Sequence, residues 1–126
     1  MIVKGVVERG AGRGKSDFVP TVNLMLDENP KGLDFGIYVC KIQVRDMKYS
    51  GVLHYGNRSS IDGLDTFEVN IFDFDEDIYG EQVEVEVLEK IRDIIKFDSV
   101  NELSIQIKKD ILEAKTRLTM ADETIH

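Results

Sequence analysis

Cysteine is nearly missing from this 126-residue chain, where Cys40 stands alone. No intramolecular disulfide and no cysteine-rich zinc site can form, and nothing demands an oxidising compartment. Cys40 reads as a small buried residue in a strand. Positive charge is also scarce. Sixteen Lys and Arg stand against 24 Asp and Glu, giving a net charge of −8 and a pI near 4.7. That balance argues against a non-specific grip on nucleic acid or an anionic membrane, which both need clustered basic side chains, although a local basic site can exist within an acidic protein. No apolar run approaches the ~18 residues that read as a membrane span. The start, Met1-Ile2-Val3-Lys4-Gly5, lacks the apolar stretch of a signal peptide. The expectation is a soluble, cytoplasmic, monomeric protein with neither nucleic acid nor membrane as a partner. Internal repeats, low-complexity tracts and linker-like boundaries are missing too, so one domain is expected over residues 1–118, followed by a polar tail at 119–126. At this length a domain can bury about two-thirds of its unfolded surface.

What is present is a succession of short β-prone runs, broken by Gly, Pro, Asn and Asp, up to about residue 90. Strands are predicted at Ile2–Glu8, Thr21–Leu26, Gly36–Val44, Tyr49–Tyr55, Asp65–Phe72 and Gln82–Glu89. This order suggests an antiparallel barrel or sandwich rather than alternating βα units. In Val83-Glu84-Val85-Glu86-Val87 the valines would face a core and the glutamates water, so Glu84 and Glu86 are assigned no function. One long helix closes the chain. Ser99 is placed as its N-cap, with Glu102 completing a capping box, and its end is expected near Leu118. Leu103, Ile107, Ile111, Ala114 and Leu118 form an apolar stripe that should cover one side or end of the sheet structure.

The densest local signal is Gly10-Ala11-Gly12-Arg13-Gly14-Lys15-Ser16. It is not a P-loop of the form G-x-x-x-x-G-K-[ST], because the first glycine would fall at Arg9 and Pro20 interrupts the segment that should open a helix. Alternating glycines still let backbone N–H groups approach an anion, and Arg13 and Lys15 add charge to such a nest. The loop alone reads equally well as a turn between strands.

After the loop comes Pro20-Thr21-Val22-Asn23. Together they resemble the signature of the riboflavin kinase family, whose members carry a Gly-Arg-Gly loop followed by Pro-Thr-Ala-Asn. The likeness continues through Gly36-Ile37-Tyr38, Tyr49-Ser50-Gly51-Val52, Phe67-Glu68-Val69-Asn70-Ile71-Phe72-Asp73-Phe74 and Asp77-Ile78-Tyr79-Gly80. It then covers Lys90-Ile91-Arg92, Lys96-Phe97-Asp98-Ser99 and the helix, in the family's order from about Gly5 to Leu118. The resemblance implies a mainly β fold, a six-stranded antiparallel Greek-key barrel with one C-terminal helix. It implies ATP as co-substrate, a divalent cation, usually Mg²⁺, and riboflavin as the acceptor that becomes FMN.

Phosphoryl transfer asks a protein to position the nucleophile and neutralise phosphate charge. By resemblance Gly10, Gly12, Arg13, Gly14 and Lys15 hold the nucleotide, and Thr21 and Asn23 hold the metal and ATP phosphates. Two apart on a strand, Thr21 and Asn23 share a face, and their oxygens are hard ligands suited to Mg²⁺. Glu68 matches the family's catalytic base and stands among apolar strand residues that would partly desolvate it. Arg92 and Phe97 correspond to positions on the flavin side. Three departures stand out: Asp17-Phe18-Val19 replaces an apolar residue, Gly and Phe or Ile in the flap over the nucleotide; His54 stands where the family has Asn; Asn70 stands where it has His. With no room for a separate adenylyltransferase domain, FMN and ADP are the expected products. Two alternatives stay open at this point: a diverged module that holds flavin or nucleotide without turnover, and a protein-interaction barrel.

Overall fold

The computed structural model describes residues 1–8, 21–26, 30–56 and 66–124, from 120 onward as backbone only. The described residues form six strands: β1 (Ile2–Glu8), β2 (Thr21–Met25), β3 (Gly36–Val44), β4 (Met47–Gly56), β5 (Thr66–Ile71) and β6 (Gln82–Arg92). All pair antiparallel and close into a barrel in the order β1-β2-β5-β4-β3-β6. The meander β3-β4-β5 with β6 returning beside β3 is the Greek key. Among the described residues no helix is long and apolar enough to cross a membrane.

Period-two alternation sets what lies inside. Tyr38, Cys40 and Ile42 of β3, Leu53 and Tyr55 of β4, Phe67, Val69 and Ile71 of β5, and Val83, Val85 and Val87 of β6 fill the barrel as one core. Glu84 faces outward, as its alternation predicts, and pairs with Lys4 across the β1–β6 ladder at 3.4 Å. Burial pushes the Cys40 thiol up to about 12.

Strand ends differ from the sequence reading where turns lack glycine. β4 begins at Met47 because Val44 pairs with Met47 across the tight turn Arg45-Asp46, and Arg45 takes a φ of +56°. Its guanidinium then forks onto Glu81 at 2.6 and 3.0 Å and reaches Glu76 at 2.8 Å. β6 runs on to Arg92, three residues past its predicted end, because two register shifts against β3 let the strand bend and continue.

The helix, α1 (Val100–Thr124), starts where Ser99 accepts the Glu102 N–H at 3.1 Å. Glu102 reaches back to the Asp98 N–H at 3.3 Å, one residue past the expected capping-box partner. The helix does not stop near Leu118, and residues 119–124 of the expected tail are helical. Thr119 to Thr124 contains neither Gly nor Pro to end it. Ile111, Ala114 and Leu118 pack on the barrel's outer side against Ile37, Val39, Val52, Phe72 and Ile91. Leu103 does not join them and is 41% exposed, because the first turns of α1 precede its contact with the barrel.

Gly51 shows how tightly β4 and β5 approach. A Cβ there would lie 2.3 Å from the Asn70 carbonyl oxygen, so backbone, not a pliable side chain, would have to move. Gly51→Ala is expected to destabilise the fold by about 3 kcal/mol, the upper range for overpacking a rigid site, as a lowered urea midpoint with an unchanged slope. A thiol reagent at pH 8 should leave Cys40 unmodified in the native protein and label it after unfolding, since the thiol is both inaccessible and held neutral.

Candidate functional site

Two short strands supply the polar residues of the site. Thr21 and Asn23 on β2, and Glu68 and Asn70 on β5, are spaced i and i+2, so each pair lies on one face of its strand. Because the strands run antiparallel, Thr21 lies opposite Asn70 and Asn23 opposite Glu68. Side chains directly opposite one another have Cβ atoms about 4.5–5.5 Å apart. All four are half-buried on the outer face of the barrel. The Thr21 hydroxyl donates to the Asn70 side-chain oxygen Oδ1.

The row extends both ways. Glu8 of β1 lies opposite Asn23; on the other side Glu68 faces His54 of β4, His54 faces Ile37 of β3, and Ile37 faces Arg92 of β6. The exposed imidazole of His54 leans along β4, with Cε1 3.2 Å from where a Gly56 Cβ would stand. Ile94 Cδ1 comes within 2.8 Å of that same point, so the segment after β6 passes over the end of β4 beside the row.

Arg92 anchors that segment. Its Nε and Nη2 fork onto the two Asp110 carboxylate oxygens of α1 at 2.8 and 2.7 Å, and Nη1 donates to the Asp93 carbonyl at 2.9 Å. Gln106 gives Asp110 a further N–H at 3.0 Å. Asp110 is only 5% exposed, so this fork is a desolvated, bidentate pair rather than a rim contact. Next to it, Lys90 sits 2.6 Å from Asp93 and holds that carboxyl below its usual range.

A hydroxyl, an amide carbonyl and a carboxylate are hard oxygen donors that fit a divalent cation such as Mg²⁺. Among the described residues no group of three His, Cys, Asp or Glu could hold a metal by itself. The donor set therefore suits a cation that brings phosphate oxygens and waters as its other ligands, not a protein cage.

The structure brings Thr21, Asn23 and Glu68 together, as the sequence reading expects of a shared site. It holds Arg92 against α1, and Phe97 half-buried between β6 and α1. Gly10, Gly12, Arg13, Gly14 and Lys15, and the variant Asp17-Phe18-Val19, lie outside the described residues. Asn70 and His54 belong to the row although the sequence reading gave neither a role. The available signal was the i+2 spacing of Glu68 and Asn70, which mirrors that of Thr21 and Asn23. Asp110 gave no such signal, because one acid in a charged helix reads as a solvated side chain.

Oxygen donors for a cation and a carboxylate able to take a proton, set side by side on a rigid sheet, are the equipment of a phosphotransferase. The chain matches the riboflavin kinase family over residues 1–118 and belongs to that family. It is 39% identical over 113 residues to the bifunctional riboflavin kinase/FMN adenylyltransferase of Haemophilus influenzae, covering 88% of this chain and 36% of that protein. It is 38% identical over 112 residues to the RNA-binding riboflavin kinase RibR of Bacillus subtilis, covering 87% and 48%. The chain thus spans about a third to a half of these relatives. The crystal structure of riboflavin kinase from Trypanosoma brucei superposes with a TM-score of 0.63 at 22% identity, covering 94% of this chain and 79% of that one.

Breaking the fork should be costly, because it strands a charge away from water. Asp110→Ala is expected to lose about 3 kcal/mol, the lower range for removing one partner of a buried pair, in urea unfolding. Arg92→Ala in the same background should then cost little, since its partner is already gone.

Proposed function

We propose that this chain phosphorylates riboflavin, moving the γ-phosphate of ATP onto the terminal ribityl hydroxyl to give FMN and ADP. The observation that supports the reading most is the Asn23–Glu68 register, which sets a carboxylate beside an amide oxygen in a chain of the riboflavin kinase family. Glu68 accepts the proton of the attacking hydroxyl as its oxygen bonds to the γ-phosphorus, and the bridging oxygen departs with ADP. Thr21 and Asn23 would hold Mg²⁺, which neutralises phosphate charge when bound. Gly10, Gly12, Arg13, Gly14 and Lys15 receive the nucleotide phosphates.

The flavin ring has an apolar surface available beside Glu68. Ile94 and Ile95 are 39% and 49% exposed in the segment that crosses β4, and Phe97, further along the same segment, is half-buried. Arg92 serves this side by fixing the start of that segment to Asp110, with Nε and one Nη2 N–H used there. One relative's name carries RNA binding. With a net charge of −8, nucleic acid is left out of this proposal. We place the enzyme in the cytoplasm, where ATP is available and the single thiol stays reduced.

Purified protein given riboflavin, ATP and Mg²⁺ should yield FMN by chromatography, and no FMN with any metal or nucleotide tried would end the kinase reading. Glu68→Gln should keep the fold and bind both substrates while kcat falls at least about a hundredfold, the lower range for losing a general base. Near-normal kcat would remove Glu68 from the mechanism.

A further inference from the structure

Asn70 stands where the resembled family carries histidine, and its amide does something specific here. A hydroxyl has one proton and two lone pairs, so by itself it can donate to a phosphate oxygen or accept a cation. The Thr21 hydroxyl has committed its proton to Asn70 Oδ1. With its proton given there, the oxygen can meet a hard cation only through a lone pair. The amide oxygen being engaged, Asn70 has its N–H donors at the other end of the same group.

Among the described residues, the surroundings leave Asn70 little choice of partner. Its cross-strand neighbours are Thr21 on one side and the buried, apolar Val52 on the other, and it lies between Glu68 of β5 and the buried Phe72 just past the strand's end. Its backbone is fixed by the close approach of β4 at Gly51. The acceptor is thus held at the end of a rigid strand segment, two residues from the carboxylate.

We infer that Asn70 is a positioning residue that converts the Thr21 hydroxyl into a cation ligand. It acts through Thr21 and rests on the phosphoryl-transfer reading of the same site. It also accounts for a site with one carboxylate in its paired core: the second oxygen donor is made acceptor-only by its neighbour rather than by its own charge. The corresponding partner of a metal ligand is typically worth 10–100-fold in affinity elsewhere.

The test reads metal binding, not turnover. Mn²⁺ serves as the probe, and its free concentration is followed by electron paramagnetic resonance in the presence of saturating ADP. Asn70→Ala is expected to weaken Mn²⁺ about tenfold while ADP affinity without metal stays within twofold. Asn70→Asp, which keeps an acceptor oxygen at that position, should bind Mn²⁺ within about twofold of the unaltered protein. In a Thr21→Val background the Asn70→Ala change should have no further effect. The inference is overturned if Asn70→Ala leaves Mn²⁺ affinity unchanged, if Asn70→Asp is as weak as Asn70→Ala, if the two changes simply add, or if the unaltered protein binds no Mn²⁺ with ADP. A protein that binds Mn²⁺ in this way yet makes no FMN would sink the kinase reading and leave the role of Asn70 standing.

Discussion

Closing six strands into a barrel requires β2 to bridge β1 and β5, and only three paired positions do so on each side. The long β3–β4 and β3–β6 ladders would form a curved sheet without it, but the edges at β1 and β5 would then stay unpaired. The short β2 strand removes those edges. The same three pairs put Thr21 on Asn70 and Asn23 on Glu68, residues separated by more than forty positions in the chain. Barrel closure and site assembly are therefore one event. A change that slips β2 by a single residue would turn Thr21 and Asn23 toward the core and Val22 and Leu24 toward solvent, which the apolar interior opposes.

The second organising contact is the fork between Arg92 and Asp110. Alone, a buried pair offers little net stability, because removing two charges from water offsets most of their attraction. Its value lies in geometry. A planar guanidinium on two carboxylate oxygens fixes direction as well as distance. It sets the end of β6, the outset of the segment carrying Ile94, and the middle of α1 relative to one another. Arg117 adds an exposed tie from α1 to Glu89 and a part-buried one to the Lys90 carbonyl, and Lys115 lies over the Phe72 ring at 5.1 Å. The helix is thereby held on the side of the barrel that adjoins the polar row.

The row itself changes character along its length. At β1 and β2 it offers Glu8 and Asn23, at β5 Glu68, at β4 His54, and by β3 it has become Ile37 beneath the helix. A polar stretch thus grades into an apolar one within one strip of sheet.

Much of this was legible in the sequence. Alternation in Val83 to Val87, the turn residues, the Ser99 cap and the apolar helix stripe are local patterns, and each is imposed by strand or helix periodicity whatever the partner. The ordered motifs identified Thr21, Asn23 and Glu68 as a set. The bulged extension of β6 to Arg92, the Asp110 fork and the Thr21–Asn70 hydrogen bond were not legible, because each joins residues from separate elements. A strand's own sequence states which of its faces is polar, and that is what this chain determined by itself. Which polar residue meets which is decided by register across the closed ladder, a non-local choice made by the packing of all six strands together, and only the tertiary structure supplies it.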